Sequence, residues 1–239
     1  MKKILLTFFL VAAGFASFAQ FEQNDYDPIT FGIVGGASNG MFQAKLSAGN
    51  SVVSNTMGSS AIIGLNVAFR LNDYIAIRPG LFYVGKGSDI QYYQTTYVSF
   101  GGSSTSTLTS SAEQKFSLNY LELPLDIIGY IPVNDNINIL AGGGPFIAKG
   151  LNGNVVSTYG GSDPTTTGTK FGRNGDFKSI DYGATIVLGA EFKRFRFDLD
   201  YDLGLSNILQ NSNYSSGAFQ SIKTGALYVT LGLSFGSGN

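Results

Sequence analysis

Eight charged side chains lie on one side of the alternating segments that hold them, and they are the residues most able to do chemistry. Carboxyl groups in such a set could act as an acid–base pair, bind a cation, or form ion pairs with the guanidinium groups. We expect ion pairs in an interior, where unpaired charge costs several kcal/mol or more per ion. The excess of acids leaves protonated carboxyls or a bound cation as alternatives. The set is Arg78, Glu122, Asp126, Glu191, Arg196, Asp198, Asp200 and Asp202.

Catalytic and cofactor chemistry has little support in the composition. The sequence contains no His and no Cys, which removes imidazole catalysis, thiol nucleophiles and thiolate metal sites. Asp198, Asp200 and Asp202 imitate a calcium loop, but Leu203 stands where such a loop needs Gly. A hydrolase could use acids outside this set, but Glu113, Asp163 and Asp176 are widely scattered. We therefore predict no catalytic residue, no metal and no cofactor.

The overall composition favours a chain that contacts lipid. Only 13% of its 239 residues are charged, about half the usual share, and 32 are Gly. The formal net charge is −1, so no basic surface for nucleic acid is expected.

The N-terminus predicts export across the inner membrane. Lys2 and Lys3 precede the apolar run 4–13, and small residues at Ser17 and Ala19 suit a cleavage site. We predict a signal peptide over residues 1–19 and one barrel domain over 20–239. No later segment has eighteen consecutive apolar residues, so any membrane crossing must use strands.

Apolar and polar residues alternate with period two through most of the remaining chain, which predicts strands. Connections are alternately short and long, as in barrels with inner turns and outer loops. The predicted fold is all-β, an eight-stranded antiparallel up-and-down transmembrane β-barrel. Its strands are expected at 29–38, 63–70, 75–86, 116–130, 137–149, 180–192, 195–205 and 226–235.

The apolar face is expected to contact lipid, because the polar face consists largely of small residues suited to a narrow interior. A secreted lipocalin-like barrel that holds an apolar ligand is the alternative. Aromatic residues near both ends of the apolar face predict two interfacial girdles. These are Phe31, Phe69, Phe192, Phe195 and Phe235 on the inner side, and Tyr83, Tyr182 and Tyr201 on the outer side.

Two irregularities are expected inside the strands. Pro79, Pro124 and Pro145 lack the N–H that a ladder needs, which predicts a bulge at each. In the fourth strand, apolar residues stand at even positions up to Tyr120 and at odd positions from Leu121 onward. This predicts a phase change of one residue near Tyr120.

Three short motifs resemble one known family. Asn119-Tyr120-Leu121-Glu122-Leu123-Pro124-Leu125, the Gly142-Gly143-Gly144-Pro145 strand and Ile77-Arg78-Pro79-Gly80-Leu81-Phe82-Tyr83 are similar to the core of PorT-family outer-membrane β-barrel proteins. The resemblance implies a small outer-membrane barrel of a Gram-negative cell envelope, and one branch of that family assists type IX secretion.

We expect a non-catalytic monomer in outer-membrane lipid, which acts as a structural or interaction protein. Its contact surface would be the extracellular loops or the periplasmic end, with an envelope protein as a candidate partner. An accessory role in a type IX secretion or gliding apparatus is the second hypothesis. The loop aromatics could form contact surfaces or merely extend and shield the strands; they are Tyr92, Tyr93, Tyr97, Phe100, Tyr159 and Tyr214.

Overall fold

The computed structural model describes residues 28–47, 50–100, 104–134, 136–210 and 219–236. Side chains are described for these ranges except at 50–53, 94–100 and 104–109. The signal-peptide prediction and Tyr214 therefore lie outside the described residues, as do the side chains of Tyr97 and Phe100. In the described part of the chain, no helix is long and apolar enough to cross a membrane.

The described ranges contain eleven strands. Segments in which polar and apolar residues alternate make up most of these ranges, and such segments favour extended structure. The strands are β1 (Ile29–Gly40), β2 (Gln43–Leu46), β3 (Asn50–Asn72), β4 (Ile75–Phe100), β5 (Ser104–Asn134), β6 (Ile137–Tyr159), β7 (Thr165–Thr169), β8 (Ile180–Phe192), β9 (Phe195–Gly204), β10 (Phe219–Lys223) and β11 (Gly225–Gly236).

Eight of these strands close into a ring, and every pairing in it is antiparallel. The order is β1, β3, β4, β5, β6, β8, β9, β11, and β11 returns to β1 from Thr30↔Gly236 to Gly40↔Ala226. The predicted eight-stranded antiparallel barrel is confirmed. Closure matters because strands in lipid must pair their backbone N–H and C=O groups with one another.

The outside of the ring is apolar. Leu231, Phe195 and Ile127 are 68%, 64% and 61% exposed, although they are large hydrophobic side chains. Their neighbours in sequence, such as Arg196 and Asp126, are buried inside the ring. The residues proposed for the two girdles all lie on the exterior: seven are exposed and Phe69 is half-buried.

The outer end differs from the predicted loops. The β4–β5 hairpin continues without a register shift from Ile75↔Gly129 to Phe100↔Ser104, through residues that were expected to form a loop. β7 extends this sheet by pairing with β6, and β2 pairs with β10 in a separate two-stranded sheet. The long outer connections are therefore mostly strands, and they form a folded structure above the membrane.

The predicted bulges at the prolines are wrong. The pairings Pro79↔Leu125, Pro124↔Phe146 and Pro145↔Ala184 keep the register of the residues on either side. The predicted phase change in the fourth strand is also wrong, since β5 alternates evenly from Ala112 to Tyr130. The one-residue shift lies in the partner strand β6, where Asn119↔Asn152 is followed by Tyr120↔Gly150.

Two arginine substitutions on the exterior of one strand test the membrane position. Leu199→Arg, near the middle of β9, should lower the free energy of unfolding by about 2–4 kcal/mol, because it places a cation at the bilayer midplane. Leu205→Arg, just beyond the outer end of β9, should lower it by about 0–1 kcal/mol. Denaturant titration in lipid vesicles measures both values, and equal losses would contradict the assigned membrane position.

Candidate functional site

The inner half of the ring holds a cluster of two arginines and their carboxylates. Arg78 on β4 donates from Nη1 to Asp198 Oδ2 at 3.2 Å, and its Nη2 lies 3.9 Å from Asp126 Oδ2. Arg196 on β9 donates from Nε to the same Asp198 oxygen at 2.7 Å. Two guanidinium groups therefore share one carboxylate, and the Arg78–Asp198 pair joins β4 and β9, which lie on opposite sides of the ring.

A second cluster lies further outward and centres on a lysine. Lys86 Nζ lies 2.7 Å from Glu122 Oε2 and 2.8 Å from Asp202 Oδ2, and its side chain is fully buried. Asp202 also accepts hydrogen bonds from Thr185 Oγ1 at 2.9 Å and from the Tyr228 hydroxyl at 2.6 Å. On β5, Glu122 therefore pairs with Lys86, whereas Asp126 lies beside Arg78.

The structure therefore brings seven of the eight predicted lumen residues into ion pairs. Glu191, near the inner end, pairs with Arg70 at 3.1 Å, and Arg70 lies 4.1 Å from the centre of the Tyr130 ring. Asp200 is half-buried, and its Oδ1 accepts no hydrogen bond from a described group.

The candidate set omitted three interior groups, Lys86, Arg70 and Asp181, although the alternation places each of them on the polar face of its strand. Lys86 shares the parity of Arg78 on β4 and lies eight residues further along. Arg70 likewise follows Asn66 and Ala68 on β3. Asp181 follows the parity of β8, and it accepts hydrogen bonds from Ser206 and Thr224 at 2.6 Å each.

Carboxyl groups outnumber cations in this interior. The cations are Arg70, Arg78, Lys86 and Arg196; the carboxyls are Glu122, Asp126, Asp181, Glu191, Asp198, Asp200 and Asp202. Hydroxyl groups donate hydrogen bonds to some of the excess carboxyls. Asp181 accepts two such bonds, and Asp202 accepts two more. A cavity of about 30 Å³ between the two clusters has room for about two water molecules. Asp126, Asp198 and Asp200 line it, and each has one oxygen that lacks a described donor.

This arrangement favours structure over chemistry. In the part of the chain that the structure describes, no group of three or more acids is placed to hold a metal ion. Most of the carboxylates are buried and are held by cations or hydroxyls, and the cavity beside them has room for only about two water molecules. The described residues therefore give catalysis no positive support.

The outer half of the bore is closed by an apolar core, which the sequence did not reveal. Phe116 on β5 is its hub, with ring centres 5.7 Å from Phe42, 6.2 Å from Phe177 and 6.0 Å from Phe219. These partners come from the connections that follow β1, β7 and β9, so the outer loops fold inward over the ring. Buried with them are Ile90, Tyr92, Leu118, Tyr120, Val155, Ile208, Leu209 and Ile222.

We call the structure above the membrane the outer cap: the outer parts of β3 to β6, β7, the β2–β10 sheet, and segments 170–179 and 205–210. Its exposed side is polar, and Lys115 lies 3.0 Å from Glu113 and 3.5 Å from Asp89. Burial and the neighbouring Glu113 carboxylate raise the pKa of Asp89, although Lys115 opposes them. Tyr93 and Tyr159 are exposed, whereas Tyr92 points into the cap, where burial raises the pKa of its phenol.

The closed ring, apolar exterior and charged interior define a transmembrane β-barrel. The outer membrane protein beta-barrel domain family matches residues 18–210, and the chain belongs to that family. Its localisation is therefore the outer membrane. No curated protein matches the sequence significantly.

The chain is similar to three solved structures over most of its length. The outer membrane protease OmpT of Escherichia coli is 13% identical, with 91% of this chain and 99% of that chain covered and a TM-score of 0.43. Neisserial surface protein A is 11% identical, with 86% and 97% covered and a TM-score of 0.40. Ail, the attachment invasion locus protein of Yersinia pestis, is 12% identical, with 86% and 98% covered and a TM-score of 0.34.

These findings separate the sequence-based hypotheses. The family match supports the outer-membrane barrel, whereas the secreted lipocalin-like barrel is not supported. PorT-family membership is a finer assignment than the match provides, and it stays a prediction.

Replacing the buried lysine tests whether the lumen cluster holds the barrel together. Lys86→Met should lower the free energy of unfolding by about 3–5 kcal/mol, because Glu122 and Asp202 lose their cation in a buried site. Lys86→Met combined with Glu122→Gln and Asp202→Asn should recover most of that loss, since no unpaired charge is left. Denaturant titration in vesicles measures both.

The matched control is Lys115→Met, which removes an exposed lysine between two carboxylates and should leave the unfolding midpoint unchanged. An equal midpoint for Lys86→Met and the wild type would show that the buried cluster does not stabilise the barrel.

Proposed function

We propose that this protein is a sealed, non-catalytic outer-membrane barrel that presents its outer cap as a structural and interaction surface. The observation that carries the proposal is that the barrel interior is blocked at two levels. The ion-paired clusters fill the inner and middle levels, and the aromatic core around Phe116 fills the outer level. A solute would have to break a buried ion pair and displace packed rings to pass.

The outer cap suits an interaction role because its own core holds it in place. The β4–β5 hairpin pairs continuously from the membrane to Phe100↔Ser104, and four aromatic rings pack against one another beneath it. A surface held in one conformation loses little entropy when it binds a partner. Tyr93, Gln91 and Glu113 lie on its exposed side.

The finer assignment rests on the PorT-like motifs alone. Tyr120, Leu121 and Glu122 lie in the middle of β5, and Gly142 and Gly143 of β6 pair with Ile128 and Ile127 further along the same strand. These residues build the ring and its lumen, so the resemblance describes barrel architecture. An accessory role in type IX secretion or gliding stays a prediction with no structural feature that favours it.

Conductance across a planar bilayer tests the closed bore. The purified protein should show no steady conductance above that of the empty bilayer, because both levels of closure lie across the ion path. A stable open channel in the wild-type protein would contradict the proposal.

Single-cysteine labelling tests which end of the barrel faces outward, and the chain has no Cys of its own. A membrane-impermeant maleimide should label Tyr93→Cys in intact cells, because Tyr93 lies on the exposed side of the cap. Arg194→Cys, in the two-residue turn between β8 and β9, should react only after the envelope is opened. Labelling of Arg194→Cys alone in intact cells would place the cap in the periplasm.

A further inference from the structure

Four cations lie in the segments at the outer end of the β6–β8 side of the barrel. Lys149 is on β6, and Lys170, Arg173 and Lys178 are in the segment that leads into β8; all four side chains are exposed. Ile147, Ile180 and Tyr182 are exposed beside Lys149.

The strand register places Lys149 at the outer margin of the apolar belt. Lys149 is paired with Leu121 on one side and with Ile180 on the other. Tyr182, one of the proposed outer girdle residues, is its diagonal neighbour, at about 7–8 Å between Cα atoms. A lysine there can lay its methylene chain on apolar neighbours while its ammonium group reaches the headgroup level.

Backbone contacts bring Lys170 and Lys178 to the same stretch of β6, since Thr169, which precedes Lys170, pairs with Gly153. Gly150 N–H donates to Ser179 O at 2.8 Å, which continues the β6–β8 ladder and sets Lys178 diagonally beside Lys149. Lys178 N–H donates to Ile208 O at 2.7 Å, and Phe177 is fully buried in the cap core. The segment is therefore fixed to the barrel.

Acidic neighbours do not neutralise this group. Asp176 is the nearest acid in sequence, and its carboxylate accepts the backbone N–H of Lys170 at 2.9 Å. None of the four cations forms an ion pair with a carboxylate of the described residues, whereas Lys115 on the cap is paired with two. The four positive charges are thus exposed and make no ion pair with a carboxylate in the part of the chain that the structure describes.

We propose that Lys149, Lys170, Arg173 and Lys178 bind a phosphate group of an outer-leaflet lipid. The group has the charge for a phosphate, and it stands where a lipid headgroup meets the protein. Lysine and arginine at an anionic membrane surface each favour binding, and arginine can hold two phosphate oxygens at once. A soluble anion would meet the same charges, but it would not use their position above Ile147 and Tyr182.

The test uses full-length mature protein in phosphatidylcholine nanodiscs that contain bisphosphorylated lipid A, or the same glycolipid with its phosphates removed. Native mass spectrometry after extraction measures the glycolipid retained per barrel. Wild-type protein should retain the phosphorylated form about tenfold more than the dephosphorylated form. This comparison needs no variant, so it holds even if a substituted protein fails to fold.

Two double variants with the same change of charge locate the site. Lys149→Gln/Lys178→Gln should lose most of the preference for the phosphorylated form. Lys45→Gln/Lys223→Gln, on the β2–β10 sheet of the cap, should keep it. Equal retention of both glycolipids by the wild type, equal loss in both double variants, or displacement by excess inorganic phosphate would each overturn the proposal.

Discussion

Charged side chains must meet one another inside a ring of eight strands, because the interior of such a ring is only wide enough for side chains. Lys86 illustrates the constraint: its ammonium group contacts carboxylates from β5 and β9, strands that do not neighbour each other in the ring. The same holds for Arg78, which reaches across to Asp198. Breaking such a pair leaves an unpaired charge in a site with little room for water. Arrangements of the ring with another diameter or register are therefore disfavoured.

The constraint also explains why the exterior can be so apolar. Nearly all charge at membrane level is taken inward, which leaves Leu, Ile and Phe to contact the acyl chains. Buried ion pairs add little net stability compared with apolar packing, because each ion loses its hydration. Their contribution here is to specificity: a register slip of one residue would place Arg196 and Asp198 in lipid and Phe197 in the lumen.

Period-two alternation made the ring, its strand number and the inward parity of Arg78 and Asp202 predictable. The alternation led to a wrong prediction where the medium on each face of a strand changes along its length. β5 keeps one phase throughout, yet its apolar residues face lipid at Leu121 to Ile127 and face inward at Phe116 to Tyr120. The lower part lies between lipid and an ion-paired lumen, whereas the upper part lies between water and an aromatic core. A change in solvent was thus interpreted as a change in register. The real one-residue shift, at Leu151 in β6, has no such signature, because Leu151 and Asn152 are both exposed.

The cap core could not be derived from the sequence for a related reason. Phe42, Phe177 and Phe219 lie in segments rich in Gly, Ser and Asn, and no periodicity marks them as buried. They meet because β5 carries Phe116 above the membrane and the connections after β1, β7 and β9 end near it. The cap is therefore not an independent loop cluster: its hub stands on the same strand that supplies Glu122 to the lumen cluster, six residues further along. The position of the exposed cap surface thus depends on the ring whose register the buried charges specify.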